Sequence, residues 1–99
     1  MRNIVKEWEE VDKLKMFEIE VIDKRTNEKD YIIFDIKLID VGNWFKAEHI
    51  GLTKEQEQSN EIAYVSTRID MDFSLDENLQ ELYDECTTAI LESDYFTLR

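Results

Sequence analysis

The chain has 99 residues, of which 42% are hydrophobic, 11% aromatic and 36% charged, and its formal net charge is -12. We expect a single domain spanning residues 1–99, because this length suits one core and the apolar content is too high for a disordered polymer. A sequence pI near 4.4 argues against direct binding to nucleic acid or anionic lipid, since both need basic side chains that displace counterions.

The compartment is predicted from cysteine usage and from the N-terminal sequence. Cys86 is the one cysteine and cannot form an internal disulfide, which is typical of proteins in a reducing compartment. Charges interrupt residues 1–15 every few positions, and no stretch approaches the ~20 apolar residues that a membrane span needs. We therefore expect a cytoplasmic protein that does not contact membranes.

The chain begins with a predicted helix and a predicted strand. Ile4, Trp8 and Val11 recur at helical spacing with charged residues between them, which predicts a short amphipathic helix within Asn3–Leu14. Apolar and acidic residues alternate over Met16–Asp23, as a half-buried strand requires.

Three more strands are predicted after this point, because alternating apolar segments are separated by polar or glycine-containing connections. In chain order the strands and their connections are Lys24–Asp30 (hairpin loop), Tyr31–Val41 (strand), Gly42-Asn43 (turn), Trp44–Ile50 (strand), Gly51–Asn60 (polar loop) and Glu61–Phe73 (strand). Four consecutive strands with short connections favour an antiparallel meander.

The last predicted helix has the clearest local signals. Ser74 followed by Glu77 is a capping-box pattern at a helix start. A 3.6-residue apolar period then continues to about Ser93, and Tyr95–Leu98 is either an edge strand or a segment docked under the helix. The sequence thus predicts a two-layer α+β fold: a four-stranded antiparallel sheet, a long C-terminal helix on one face and a short N-terminal helix.

The C-terminal third is one-sided in charge. Residues 60–98 contain one basic residue, Arg68, and ten acidic residues. Residues 1–59 contain ten basic residues and fourteen acidic ones. On the last helix Glu77, Glu81 and Glu85 are successive i,i+4 neighbours, and each like-charge pair costs roughly 0.2–0.5 kcal/mol in an isolated helix. This surface is either a solubilising one or a patch that binds a basic partner; the candidate partner-binding residues are Glu77, Glu81, Asp84, Glu85, Asp70 and Asp72.

Further carboxylates are predicted to project from the sheet face opposite the long helix, partly neutralised by Lys37 and Arg68. They are Glu18, Glu20, Asp35, Asp70 and Asp72. The same face would hold apolar groups, which either lie under the N-terminal helix or bind a partner or a second copy. Those apolar groups are Tyr31, Ile33, Trp44, Ile62 and Tyr64.

Two patterns resemble metal sites only weakly. From Asp70 to Glu81 the oxygens fall at five positions of a calcium-binding loop, but Leu75 stands where the sharp turn needs glycine. Asp35-Ile-Lys37, with Glu20 or Asp23 nearby, resembles the carboxylate and lysine arrangement of metal-dependent nucleases, but the basic residues that would hold a nucleic acid are too few. We expect no metal and no cofactor.

The remaining catalytic candidate is a cysteine–histidine pair. His49 is the one histidine, and Cys86 lies on the apolar stripe of the last helix, where a cysteine acts as a small inert hydrophobe. We therefore expect no enzyme activity.

Together these observations predict a non-catalytic acidic module that occupies a basic, nucleic-acid-binding surface of a partner protein. Inhibitors and toxin-neutralising immunity proteins have this kind of profile. The alternative is a structural or assembly protein that forms a homodimer or complex through an apolar sheet face, with the acidic helix merely solvated.

Overall fold

A computed structural model of the chain describes residues 4–11, 15–50 and 64–99. The elements in these ranges are α1 (Ile4–Val11), β1 (Lys15–Asp23), β2 (Lys29–Ile39), β3 (Trp44–Ile50), β4 (Tyr64–Arg68), α2 (Leu75–Glu92) and β5 (Phe96–Leu98). The predicted α+β class, with a long C-terminal helix and a short N-terminal one, is confirmed. The predicted loop Gly51–Asn60 lies outside the described residues.

The described strands form one antiparallel sheet in the order β4-β3-β2-β1-β5. Strands β1 to β4 form the predicted meander, and β5 returns to pair with β1, Phe96 opposite Asp23 and Leu98 opposite Val21. The predicted count of four strands is therefore wrong by one. The fifth strand is the segment after α2, for which the sequence left two alternatives, an edge strand or a segment docked under the helix. Buried Phe96 explains this pairing, because it extends the core beside β1.

Buried and more exposed side chains alternate along the strands, so the core lies on one side of the sheet. Ile32, Phe34 and Ile36 of β2 are almost completely buried, and their cross-strand neighbours on β1 and β3, such as Ile19 and Ala47, are buried as well. The residues between them point to the other side, because successive strand side chains alternate between faces.

Both helices pack on this core side. In α1 the ring of Trp8 lies 5.3 Å from the ring of Phe45 on β3, and in α2 the ring of Tyr83 meets Phe17 of β1 edge-on at 5.2 Å. Because Phe45 and Phe17 lie on the core face, α1 does not cover the apolar groups of the opposite face. The interpretation that placed α1 there is wrong: burial of Ile4 and Trp8 in the main core holds α1 on the same side as α2.

The β2–β3 turn contains three residues with left-handed backbone, Asp40, Val41 and Gly42, with φ values of 53°, 55° and 81°. A Cβ atom on Gly42 would lie 2.6 Å from Val5 Cγ2 in α1, so glycine also lets the helix approach the turn. The Asn43 amide donates to the Asp40 carbonyl and closes the turn. Strand β2 therefore ends at Ile39, two residues before the predicted end.

The connection from β4 to α2 is built around a buried asparagine. Asn78 is 3% exposed; its Oδ1 accepts from the Asp70 amide at 2.8 Å, and its Nδ2 donates to the carbonyls of Asp70 and Ser74, each at 2.9 Å. Asp70 Oδ1 also accepts from the Asp72 amide. These bonds turn the backbone out of the sheet, so β4 ends at Arg68 and not at the predicted Phe73, which is exposed.

Serine side chains define both ends of α2. Ser74 Oγ accepts from the Glu77 amide at 3.2 Å, which confirms the predicted serine N-cap. The Glu77 carboxylate accepts from the Ser74 hydroxyl at 2.9 Å, whereas the predicted capping box has it accept from the Ser74 backbone amide. At the other end the buried Ser93 Oγ accepts from the amides of Tyr95 and Phe96. Through these two hydrogen bonds Ser93 fixes the short connection between the end of α2 and the start of β5.

We expect Asn78→Ala to lower the free energy of unfolding by about 2 kcal/mol, because it removes three hydrogen bonds of the β4–α2 turn and leaves the Asp70 amide without its acceptor. Urea unfolding followed by circular dichroism measures the change. Gln80→Ala, on the exposed side of the same helix, is the matched control and should change stability by less than about 0.5 kcal/mol. Equal stability of the two variants would contradict the role assigned to Asn78.

Candidate functional site

The candidate site is the solvent-facing side of α2. Leu75, Leu82, Cys86 and Ile90 form the buried stripe of this helix. The opposite side carries six exposed carboxylates, which are Asp76, Glu77, Glu81, Asp84, Glu85 and Glu92. At about 1.5 Å per residue, the row from Glu77 to Glu85 extends for about 12 Å along the helix axis.

These carboxylates have polar neighbours but form no ion pair with a basic side chain of the described residues. Glu77 is held in the N-terminal cap, and Asp84 accepts from the amide of Gln80 at 2.9 Å. The ion pairs of the described chain lie elsewhere and join Arg25 to Asp23, Lys37 to Asp35 and Glu48, Lys46 to Glu48, and Arg99 to Glu20. The surface of α2 is therefore acidic and not neutralised within these ranges.

Asp70 and Asp72 are not on the sheet face where the sequence placed them. Since β4 ends at Arg68, both belong to the turn that leads into α2, and both are exposed. Asp70 and Glu81 line one shallow open depression together with Arg68, Ile69 and Met71. The turn thus adds two carboxylates to the N-terminal half of the α2 surface, with Arg68 at its rim.

The sheet face opposite the helices is electrostatically different. Lys37 Nζ lies 2.8 Å from Glu48 Oε2 and 3.6 Å from Asp35 Oδ2, and Lys46 Nζ lies 2.8 Å from Glu48 Oε1. Hydrogen bonds from Lys37 and Lys46 lower the pKa of Glu48 to about 2. The hydrogen bond between Lys37 and Glu48 in turn raises the pKa of Lys37. Of the carboxylates predicted on this face, Asp35 and Glu20 are paired with cations, so the face does not extend the acidic surface of α2.

The groups of the possible cysteine–histidine pair lie in apolar surroundings. Cys86 is completely buried, and burial raises the pKa of its thiol to about 12, so it stays protonated at neutral pH. The ring of His49 packs against Phe34 with 5.7 Å between centroids, and burial lowers its pKa. Its Nδ1 is buried without a hydrogen-bond partner in the described part of the chain.

The residues of the two metal-site patterns are also distributed differently from a ligand cluster. Glu20 lies opposite Tyr31 in the sheet, four positions along β2 from Asp35, and Asp23 is bound by Arg25. Within residues 4–11, 15–50 and 64–99 no group of three or more His, Cys, Asp or Glu side chains is arranged to hold a metal ion. Nor does any helix of these ranges have the length and apolar character to cross a membrane.

Sequence reasoning missed Asn78 as the residue that brings Asp70 to the helix. A signal was present, because Asn78 occupies a position of the apolar stripe between Leu75 and Leu82, and a polar residue there must be buried. It also missed Glu48, since cross-strand pairs depend on register, which the alternation alone does not specify.

Comparisons of the chain with protein-family models, with curated proteins and with solved structures found no match.

We expect Cys86 in the native protein to react with a thiol reagent at neutral pH only as fast as the core opens, because the thiol is buried and protonated. Labelling followed by mass spectrometry, with and without denaturant, measures this protection. A Thr88→Cys substitution in a Cys86→Ala background places a thiol on the exposed side of α2 and should react at once. Rapid labelling of native Cys86 would contradict the burial.

We expect Glu48→Gln to destabilise the protein in a pH-dependent way. The folded-state pKa of about 2 lies below the ordinary value of 4.5, so the contribution of Glu48 is fully present above pH 4.5 and is lost as pH falls toward 2. Urea unfolding of both proteins across this range should show their stabilities converging at low pH. Glu28→Gln in the β1–β2 loop is the matched control, and a constant difference for Glu48→Gln would contradict its pairing.

Proposed function

We propose that this protein is a non-catalytic acidic binding module that occupies a basic surface of a partner protein, as inhibitors and immunity-type proteins do. The basic surface is of the kind that binds nucleic acid, because the exposed row of carboxylates on α2 presents regularly spaced negative charge. The observation that carries the proposal is that six exposed carboxylates of α2, with Asp70 and Asp72 beside them, have no described ion pair.

Charge placement supports binding over simple solubility. The described sheet brings lysines next to its carboxylates at 2.8 Å, so the chain neutralises acids elsewhere. On α2 it leaves like charges at i,i+4 spacing, which costs helix stability. Such a field attracts a basic protein from a distance and raises its association rate.

Rigidity also supports a binding role. The acidic side chains stand on an 18-residue helix whose first turn is capped by Ser74 and whose buried side packs in the main core. A pre-ordered backbone loses little conformational entropy when a partner docks, so more of the electrostatic attraction appears as affinity.

The absence of catalysis is part of the proposal and is supported by the state of the nucleophile. A thiol with a pKa of about 12 supplies almost no thiolate at neutral pH, and the thiolate is the reactive form. Lys37, the lysine of the nuclease-like pattern, is held by Glu48 and Asp35.

The test compares two double charge reversals of equal size. Glu81→Lys with Glu85→Lys changes the acidic surface of α2 at two exposed positions; Glu28→Lys with Asp30→Lys makes the same change at the β1–β2 hairpin. Each immobilised protein is exposed to extract of its source cells at low and high salt, and bound proteins are identified by mass spectrometry. We expect the unchanged chain and the hairpin variant to retain nucleic-acid-binding proteins that the α2 variant loses.

Affinity for a protein identified in this way should fall by at least about tenfold in the α2 variant, and raising salt should weaken binding to the unchanged chain. Duplex nucleic acid should compete with the chain for the partner. Equal binding by the α2 and hairpin variants would refute the proposal, provided that circular dichroism shows both to be folded.

A further inference from the structure

The sheet face that points away from both helices, which we call the open sheet face, has a balanced charge. Its acidic members are Glu18, Glu20, Asp35 and Glu48, and its basic members are Lys29, Lys37, Lys46 and Arg68, with Arg99 paired to Glu20. The rest of the chain then has seven basic residues against twenty acidic ones. Two copies of so acidic a chain repel one another, and this repulsion is weakest when they meet through a neutral surface such as the open sheet face.

This face also exposes large apolar side chains. Met16, Tyr31, Ile50 and Tyr64, one from each of β1 to β4, are between 48 and 59% exposed. No helix of the described ranges covers them, because α1 and α2 both pack on the core side. Apolar groups gathered on one face of a small domain are typical of a contact surface.

Two single charges of the open sheet face, Arg68 and Glu18, stand near opposite ends of its diagonal, and Lys29 and the Glu20–Arg99 pair lie at the Glu18 end. Arg68 on β4 stands beside Trp44, with Lys46 and Lys37 one step further along their strands, whereas Glu18 on β1 stands beside Ile33. Arg68 and Glu18 are three strands apart across the sheet and six residues apart along the strands, so their backbone positions are roughly 24 Å from one another. Both side chains are exposed, and neither has an ion pair within the described chain.

This diagonal arrangement is self-complementary. A twofold axis lying between two stacked sheets, at right angles to the diagonal, places Arg68 of each copy over Glu18 of the other. Sheets stack face to face at about 10 Å, a distance that long charged side chains can span.

The size of the face suits a reversible dimer. Five strands about 4.8 Å apart, with an average length of seven residues, cover roughly 550 Å² before the relief of the side chains is counted. Stable interfaces bury about 800 Å² of accessible surface per partner, and weaker reversible ones bury less.

We propose that two copies of this chain associate through their open sheet faces about a twofold axis, with Arg68 of each copy over Glu18 of the other. The acidic surfaces of α2 then point outward on opposite sides of the dimer. This arrangement separates the two strongest negative fields and leaves both α2 surfaces accessible.

Sedimentation equilibrium from micromolar to millimolar protein tests the proposal. We expect a monomer–dimer equilibrium for the unchanged chain. Glu18→Arg alone and Arg68→Glu alone each place like charges over one another and should weaken the dimer by about tenfold or more. The two substitutions combined restore opposite charges and should restore the dimer, a rescue that a general loss of stability would not produce.

Met16→Ser with Tyr31→Ser should also weaken the dimer, because it removes exposed apolar surface without changing charge. Glu81→Lys with Glu85→Lys should leave the dimer intact, so the result is independent of whether α2 binds a basic partner. A monomer at all concentrations would overturn the proposal, and so would a dimer that persists unchanged in both single charge reversals or is not restored in their combination.

Discussion

The packing of both helices on the same face of the sheet is the constraint on which the other properties of this fold depend. One set of alternate strand residues forms the core, where Trp8 packs against Phe45 and the apolar stripe of α2 covers the remaining part. The other set is then left at the surface, whatever its chemistry. In consequence the molecule presents two different surfaces to solvent, the outer side of α2 and the open sheet face.

The elements that the sequence predicted well are those with a regular period or a local signal. Alternation located β1, β2 and β3 within two residues, and the Ser74 and Glu77 pair located the start of α2. The predictions were wrong where tertiary contacts determine whether a strand forms or on which side of the sheet a helix packs. A three-residue strand such as Phe96–Leu98 is too short to show a period, and the helix α1 has an apolar stripe that would fit either side of the sheet.

The same distinction applies to the candidate site. The exposed face of α2 could be predicted because helix geometry alone places Glu77, Glu81 and Glu85 on one side. The position of Asp70 could not, since it depends on three hydrogen bonds made by Asn78, eight residues further along the chain. Polar residues at core positions of a pattern therefore indicate where a chain changes direction.

The central charges of the open sheet face explain how a monomer tolerates the apolar groups beside them. Lys37, Glu48 and Lys46 form a row of ion pairs across the middle of the sheet, which separates Ile50 and Tyr31 from Trp44 at the other end. In a stacked dimer this row loses water, and the cost of desolvating it offsets part of the gain from apolar burial. The balance favours a weak and reversible association over a permanent one. A weak dimer with two outward acidic helices would still bind a partner that has two basic surfaces more tightly than a monomer does, because the second contact forms at high effective concentration.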